Sequence, residues 1–258
     1  MALTPFEVRP PWREMVCIVI DVICASSTIV TLLDKGCPRV FTVRAVAEAR
    51  ALAQERGFLI GGERNGLVLP GFDFDNSPFK LQEMDVQGRD AVLTTTNGTR
   101  VIKRVETSRA VLIGSFLNAA ACCHSALNLA CQYSTGIGLA CAGTKGRFAL
   151  DDALCAGCLI ETLLQIGKQG NQSLTLSDSA KAAKSLFRAY PDIGSGFLES
   201  SSGRRLVEIQ RTEDIVSCSM VNVSEIVPIL IKSDPYRFED LSKKSIKRRI
   251  DLWPENQA

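Results

Sequence analysis

Two patterns of hydrophobic positions alternate along the chain. Short apolar runs predict buried strands, and longer stretches with apolar residues three and four apart predict helices. Strands are expected at 16–20 (VCIVI), 40–43, 58–60, 91–94 (AVLT), 110–113 (AVLI) and 136–141. Helices are expected at 26–33, 45–56, 100–105, 118–131, 150–166 and 177–190. Gly57 stands where a C-terminal cap belongs. Residues 61–78, rich in glycine, proline and polar residues, read as irregular. Residues 223–231 read as a late strand whose Pro228 confines it to an edge. Strands alternating with helices predict an α/β fold, a layered, mostly parallel or mixed β-sheet flanked by helices.

Length and composition narrow this picture. At 258 residues the chain is roughly 1.7 times a typical domain. Residues 1–240 are read as a single domain of one or two tightly packed α/β lobes. Composition shifts from Lys232, and SKKSIKRR leads into a basic tail over 241–258, read as a solvated extension. Thirty Lys and Arg against 28 Asp and Glu leave +2, too little for a field that holds nucleic acid or an anionic membrane. The apolar run CIVIDVICA is broken by Asp21 and too short to span a bilayer. No signal peptide is visible, so the ten cysteines are read as reduced, buried residues of a cytoplasmic protein. Cys155 and Cys158 have CxxC spacing inside an apolar helix and read as core. The lone histidine, His124, excludes multi-histidine zinc sites.

Candidate chemistry follows the strands, because ligands of open α/β sheets sit beyond the carboxyl ends. There the chain places Asp21 with Ala25-Ser26-Ser27-Thr28, then GGERNG (61–66), TTTNGTR (94–100), Gly114-Ser115 and CAGTKGR (141–147). Glycine turns, hydroxyls and helix N-termini are the parts of an oxyanion site. Arg64, Arg100, Lys145 and Arg147 can add charge-assisted bonds. Asp21, Glu63, Asp73, Asp75, Asp151 and Asp152 offer the hard oxygens that suit Mg²⁺ beside a phosphate. Asp151 and Asp152 also fit simple helix N-terminal charge. A histidine nucleophile lacks its Arg-His-Gly motif. An aspartyl nucleophile lacks Asp-x-Asp after a strand. Cys141 to Arg147 matches the Cys-x5-Arg count of cysteine phosphatases, with Thr144 where a glycine is usual.

Five motifs in fixed order carry a resemblance: IDVICASSTIVTLL, GERNGLVLPGFDFDNSP, TTTNGTR, CAGTKGRFALDDALCAG and GRRL…EDIVSCSMVNVSEIVPIL. Together, over roughly 16–231, the chain resembles the 2-phosphosulfolactate phosphatase family of coenzyme M biosynthesis. The resemblance implies a Mg²⁺-dependent phosphatase with a fold of its own. It would hydrolyse 2-phospho-3-sulfolactate, a small anionic phosphorylated substrate, to 3-sulfolactate and phosphate. With the chain's size it also suggests a homodimer. The family's strongest positions fall on Asp21, Ser26, Glu63, Arg64, Asn65, Asn76, Ser77, Thr96, Asn97, Gly98, Thr99, Gly143, Thr144, Arg147 and Asp152. The roles expected from it are these. Asp21, Glu63 and Asp152 hold Mg²⁺ or orient water, and Arg64 pairs with a substrate anion. Ser26, Ser27, Asn65, Asn76, Ser77, the 95–99 turn and the 143–147 loop surround the phosphate. Two departures matter: Cys24 stands where the family usually has arginine, and Asp75 where it commonly has glycine. That is a swing of two charges, which Lys145 or another cation must offset unless the substrate is less anionic. An anion-binding protein without turnover and a cysteine phosphatase using Cys141 are the alternative readings.

Overall fold

The computed structural model describes residues 1–8, 12–64, 67–95 and 97–243. The first half runs β1 (Val16–Ile20), α1 (Ala25–Asp34), β2 (Val40–Val43), α2 (Val46–Arg56), β3 (Leu59–Arg64), β4 (Leu67–Val68) and α3 (Pro78–Leu81). It continues β5 (Ala91–Thr94), α4 (Asn97–Val105), β6 (Ala110–Ile113), α5 (Ala119–Gln132) and β7 (Ile137–Cys141). Five helices follow: α6 (Leu150–Gln169), α7 (Asp178–Ala189), α8 (Ile193–Glu199), α9 (Ser201–Glu208) and α10 (Thr212–Ser219). The hairpin β8 (Pro228–Ser233) and β9 (Tyr236–Asp240) ends the described chain.

The mixed sheet has the order β4-β3-β5-β2-β9-β8-β6-β1-β7. Two parallel groups, β3-β5-β2 and β6-β1-β7, are joined by the antiparallel hairpin β8-β9. Three antiparallel steps separate β2 from β6, so the groups run in opposite senses. Each step also twists by about 20–25°, and five steps from β5 to β1 accumulate roughly 100–125°. The turn after β5 meets the end of β1 through Gly98 and Asp21, where the site forms.

Alternation fixes which face each residue covers. Val16, Ile18 and Ile20 of β1 enter the core under α5 and α6, and Cys17 and Val19 enter the core under α1 and α4. The parallel strands are buried on both faces, which is why they read as continuous apolar runs. Cys122, Cys123, Cys155 and Cys158 all lie in the first core. No helix among the described residues is long and apolar enough to cross a membrane.

Two expectations are corrected. Residues 61–78 are not wholly irregular: β3 continues to Arg64 and pairs with β4. Pro228 opens β8 instead of confining a strand to an edge, and β8 lies inside the sheet between β9 and β6. A proline is tolerated at a strand's first residue, where no ladder N–H is needed. Lys232 and Ser233 end β8, and the tail from 244 lies outside the described residues.

Candidate active site

The site starts at the end of β1. The Asp21 N–H donates to Ser26 Oγ (2.8 Å), the Ser26 N–H donates back to the Asp21 carbonyl (2.7 Å), and Ser27 Oγ donates to the Val22 carbonyl (2.9 Å). Ser26 and Ser27 are fully buried, and their hydroxyls brace this loop. The loop holds the Asp21 side chain against the N-terminus of α4. A Cβ on Gly98 would stand 3.0 Å from Asp21 Oδ2, so glycine here permits the backbone N–H to face the carboxylate.

Asp151 and Asp152 open α6 and are both buried. Their environments differ. Asp152 accepts from the Val22 N–H through Oδ1 (2.9 Å) and from the Gly143 N–H through Oδ2 (2.8 Å). It therefore staples the β1–α1 loop to the β7–α6 loop, and both its oxygens are engaged. Asp151 is bonded by the Ser202 and Ser200 hydroxyls, yet its Oδ1 is buried with no hydrogen-bond partner. The open oxygen expected on Asp152 is on Asp151.

No ion pair neutralises Asp21, Asp151 or Asp152 among the described residues. Burial, then the Asp151 charge, pushes Asp21 up to about 7, with Glu63 adding and the Gly98 N–H opposing. Burial pushes Asp151 up to about 6 against the Ser202 and Ser200 hydroxyls. Burial, then Asp151 and Asp21, raises Asp152 well above the carboxylate range against its two N–H donors. Three buried acids, two of them raised further by a neighbour's charge, form a site poised to take a cation or a proton.

Basic residues stand on the neighbouring loops. Arg64 donates from Nη1 to the Glu63 carbonyl (2.8 Å) and from Nη2 to the Arg44 carbonyl (3.1 Å) and Thr94 Oγ1 (3.2 Å). These bonds fix its guanidinium at the ends of β3 and β5. Lys145 and Gly146 have φ of 55° and 81°, and Thr144 and Arg147 exchange N–H···O bonds of 3.0 Å. This is the positive-φ pattern of a two-residue hairpin. The Lys145 N–H donates to Asn97 Oδ1 (3.3 Å), tying this hairpin to the turn after β5. Thr99 Oγ1 donates to the Thr95 carbonyl (2.8 Å) and lies inside that turn. The N–H groups of Gly143, Thr144, Lys145 and Arg147 are thus all engaged. The loop expected to surround the phosphate has these four N–H groups committed to protein acceptors, with Lys145 and Arg147 exposed. Thr144 Oγ1 lies 3.4 Å from Ser202 Oγ, which brings the N-terminus of α9 into the site. Asn65 and Thr96 lie outside the described residues.

Residues 75–77 belong to a buried network behind the β1–α1 loop. Asp75 pairs with Lys80 (2.8 Å) and lies 3.6 Å from Arg211, which pairs with Asp214 (2.6 Å). Arg211 also donates to the Asn76 carbonyl (3.2 Å), and Asp214 accepts from Ser77 Oγ (2.7 Å) and the Phe79 N–H (3.1 Å). The Ser77 hydroxyl, expected at the phosphate, instead caps α3 and holds Asp214. Lys80 and Arg211, not Lys145, offset the charge of Asp75. Cys24 faces Cys218 in the same region, and that contact, with burial, raises its thiol.

Cys141 ends β7 fully buried. Its thiol is directed at the Asp152 carbonyl (3.7 Å) and raised well above the ordinary range by burial and the neighbouring acids. A nucleophilic cysteine needs exposure and a lowered pKa. The geometry rules against the cysteine reading.

Sequence reasoning missed Asp151 as the carboxylate with the open oxygen, and missed Ser200, Ser202 and Arg211. The Asp-Asp doublet and the serine run 200–202 were the available signals.

The model of the 2-phosphosulpholactate phosphatase family matches residues 3–233. A probable 2-phosphosulfolactate phosphatase of Clostridium acetobutylicum is 36% identical over 219 residues, covering 84% of this chain and 89% of that protein. Its counterpart from Deinococcus radiodurans is 36% identical over 221 residues, covering 85% and 89%. That of Thermotoga petrophila is 37% identical over 215 residues, covering 83% and 88%.

Proposed function

Since the chain belongs to the 2-phosphosulpholactate phosphatase family, we propose that it hydrolyses 2-phospho-3-sulfolactate to 3-sulfolactate and phosphate with Mg²⁺. The observation that carries this reading is the group of three buried, unneutralised aspartates at the strand ends, on loops neighbouring those that carry Arg64, Lys145 and Arg147. Buried carboxylates without a cationic partner match a metal-assisted reaction on an anionic ester.

Asp21 and Asp151 fit the ion. Both are hard oxygen donors, and Asp151 Oδ1 is buried without a partner. Among the described residues no three His, Cys, Asp or Glu side chains form a ready metal cage. Mg²⁺ needs none, since it takes one or two carboxylates and keeps water and substrate oxygens. When bound, it supplies Lewis-acid neutralisation of charge on the phosphate oxygens.

The rest of the chemistry belongs to the chain. Arg64, Lys145 and Arg147 bind the phosphate, carboxylate and sulfonate groups. Asp152 holds the two loops in register through Val22 and Gly143. Glu63, which raises the Asp21 carboxyl, orients the attacking water and takes its proton. The water oxygen bonds to phosphorus as the ester P–O bond breaks. Its electron pair goes to the lactate oxygen, which solvent protonates.

The test is phosphate release from 2-phospho-3-sulfolactate and a panel of phosphorylated hydroxy acids, with Mg²⁺ or with EDTA. The reading expects release that needs Mg²⁺ and favours the sulfonated substrate. Release unaffected by EDTA would remove the metal. Absence of release with retained substrate binding would leave an anion-binding protein.

A further inference from the structure

Helix α4 begins at the site and leads away from it. A Cβ on Gly98 would stand 3.0 Å from Asp21 Oδ2, which puts the first turn of α4 against that carboxylate. Thr99 and Arg100 follow, and both line a cleft of about 710 Å³ whose wall continues along α4 to Lys103 and Arg104. Two contacts tie this cleft to the site. Arg64 donates to the Arg44 carbonyl (3.1 Å), and Arg44 lines the cleft. Arg100 Nη1 lies 3.4 Å from the point a Cβ on Gly146 would occupy, so its guanidinium rests beside the hairpin that carries Lys145 and Arg147. The cleft is therefore continuous with the candidate site.

Arg100 differs from the other cations there. Lys145 and Arg147 are exposed, and Arg64 is held by two carbonyls and a hydroxyl. The Arg100 side chain is half-buried, yet among the described residues its guanidinium makes no hydrogen bond and no ion pair. Glu106, an acid of the cleft, is taken by Lys103 (2.6 Å) and by the Tyr236 hydroxyl (2.8 Å). A partly desolvated charge without a partner in the protein is costly until a ligand completes it.

Reach selects the ligand group. Arg100 is two residues on from Gly98, about 3 Å of helix rise. In 2-phospho-3-sulfolactate four bonds of about 1.5 Å separate phosphorus from sulfur, a span of roughly 5 Å. The carboxylate lies nearer to phosphorus, so the sulfonate is the anion that extends furthest from a phosphate held at Asp21 and Asp151. A guanidinium fork matches two oxygens of such a group.

We propose that Arg100 is a specificity-determining residue that binds the sulfonate of the substrate. This rests on the phosphatase reading above and adds Arg100 to the three cations assigned there.

The test compares kcat/KM for 2-phospho-3-sulfolactate and for 2-phospholactate, which keeps the phosphate and carboxylate and lacks the sulfonate. In Arg100→Gln the sulfonated substrate is expected to lose about thirtyfold or more, and 2-phospholactate less than threefold. A general loss of structure would lower both alike. Arg100→Lys should fall between, because an ammonium keeps the charge and loses the fork. Equal losses on the two substrates, or no loss on either, would overturn the proposal. Calorimetric titration of 3-sulfolactate and of lactate into the same proteins supplies a readout without turnover. A wild type that hydrolyses neither substrate yet binds 3-sulfolactate, with binding weakened at least tenfold in Arg100→Gln, would remove the phosphatase reading and keep Arg100 as the sulfonate residue. No binding of 3-sulfolactate by the wild type, or binding that Arg100→Gln leaves unchanged, would count against it.

Discussion

Replacing Asp21 by asparagine is expected to make the metal-free protein more stable while removing its activity. The pKa of Asp21 is raised from 3.8 to about 7, chiefly by burial and secondarily by Asp151. A raised carboxyl binds its proton more tightly folded than unfolded. Below the unfolded pKa both states are protonated and the group contributes nothing. As pH rises toward 7 the folded state is increasingly penalised, and above 7 the penalty is complete. A shift of about three units corresponds to roughly 4 kcal/mol at 1.36 kcal/mol per unit. Asparagine keeps an acceptor for the Gly98 N–H but must itself be desolvated, so about 2 kcal/mol is the expected net gain. For a chain of this size that is roughly 4–8 °C in Tm. The assay is thermal unfolding of wild type and Asp21→Asn in EDTA at pH 8 and pH 4.5. The gain should be full at pH 8 and largely gone at pH 4.5. A variant no more stable than wild type at pH 8, or a gain independent of pH, would refute the reasoning.

Asp152→Ala should act in the opposite way. It strands the buried Val22 and Gly143 N–H groups, at about 1–3 kcal/mol each, and urea unfolding should show a lower midpoint most clearly at acid pH, where the raised Asp152 carboxyl carries no charge penalty. Arg211→Met leaves Asp75 and Asp214 without their shared partner. Breaking a buried pair typically destabilises by about 3–5 kcal/mol, and the loss should exceed that of Lys80→Met, whose side chain is largely exposed. Cys141→Ser should retain kcat/KM within a fewfold, and iodoacetamide should leave the native enzyme active, since the thiol is buried and protonated.

Much of the fold was legible because it depends on local pattern. β1, β2, β5 and β6 are doubly buried parallel strands, and their unbroken apolar runs admit few other readings. β9 was illegible because Tyr236–Asp240 is mostly polar and charged, and only its position between β2 and β8 makes it a strand. Helices α8 to α10 are seven or eight residues long and too short to stand on periodicity alone. In the site, the sequence placed glycine- and hydroxyl-rich loops at the strand ends but could not assign the hydrogen bonds of each side chain. Ser26, Ser27 and Ser77 look like oxyanion donors by type, yet their hydroxyls serve the local backbone or Asp214. Asp151 and Asp152 are adjacent and chemically identical. Only the backbone N–H groups of Val22 and Gly143, distant in sequence, decide that Asp152 is the staple and Asp151 carries the open oxygen.

The central claim is that Asp21 and Asp151 form the chemical centre. It is tested most directly by turnover of 2-phospho-3-sulfolactate in Asp21→Asn and Asp151→Asn, each confirmed as folded by thermal unfolding. The account predicts that each loses at least a factor of about 10³ in kcat, the scale set by losing a main source of transition-state charge stabilisation. Either variant turning over within tenfold of wild type would contradict it.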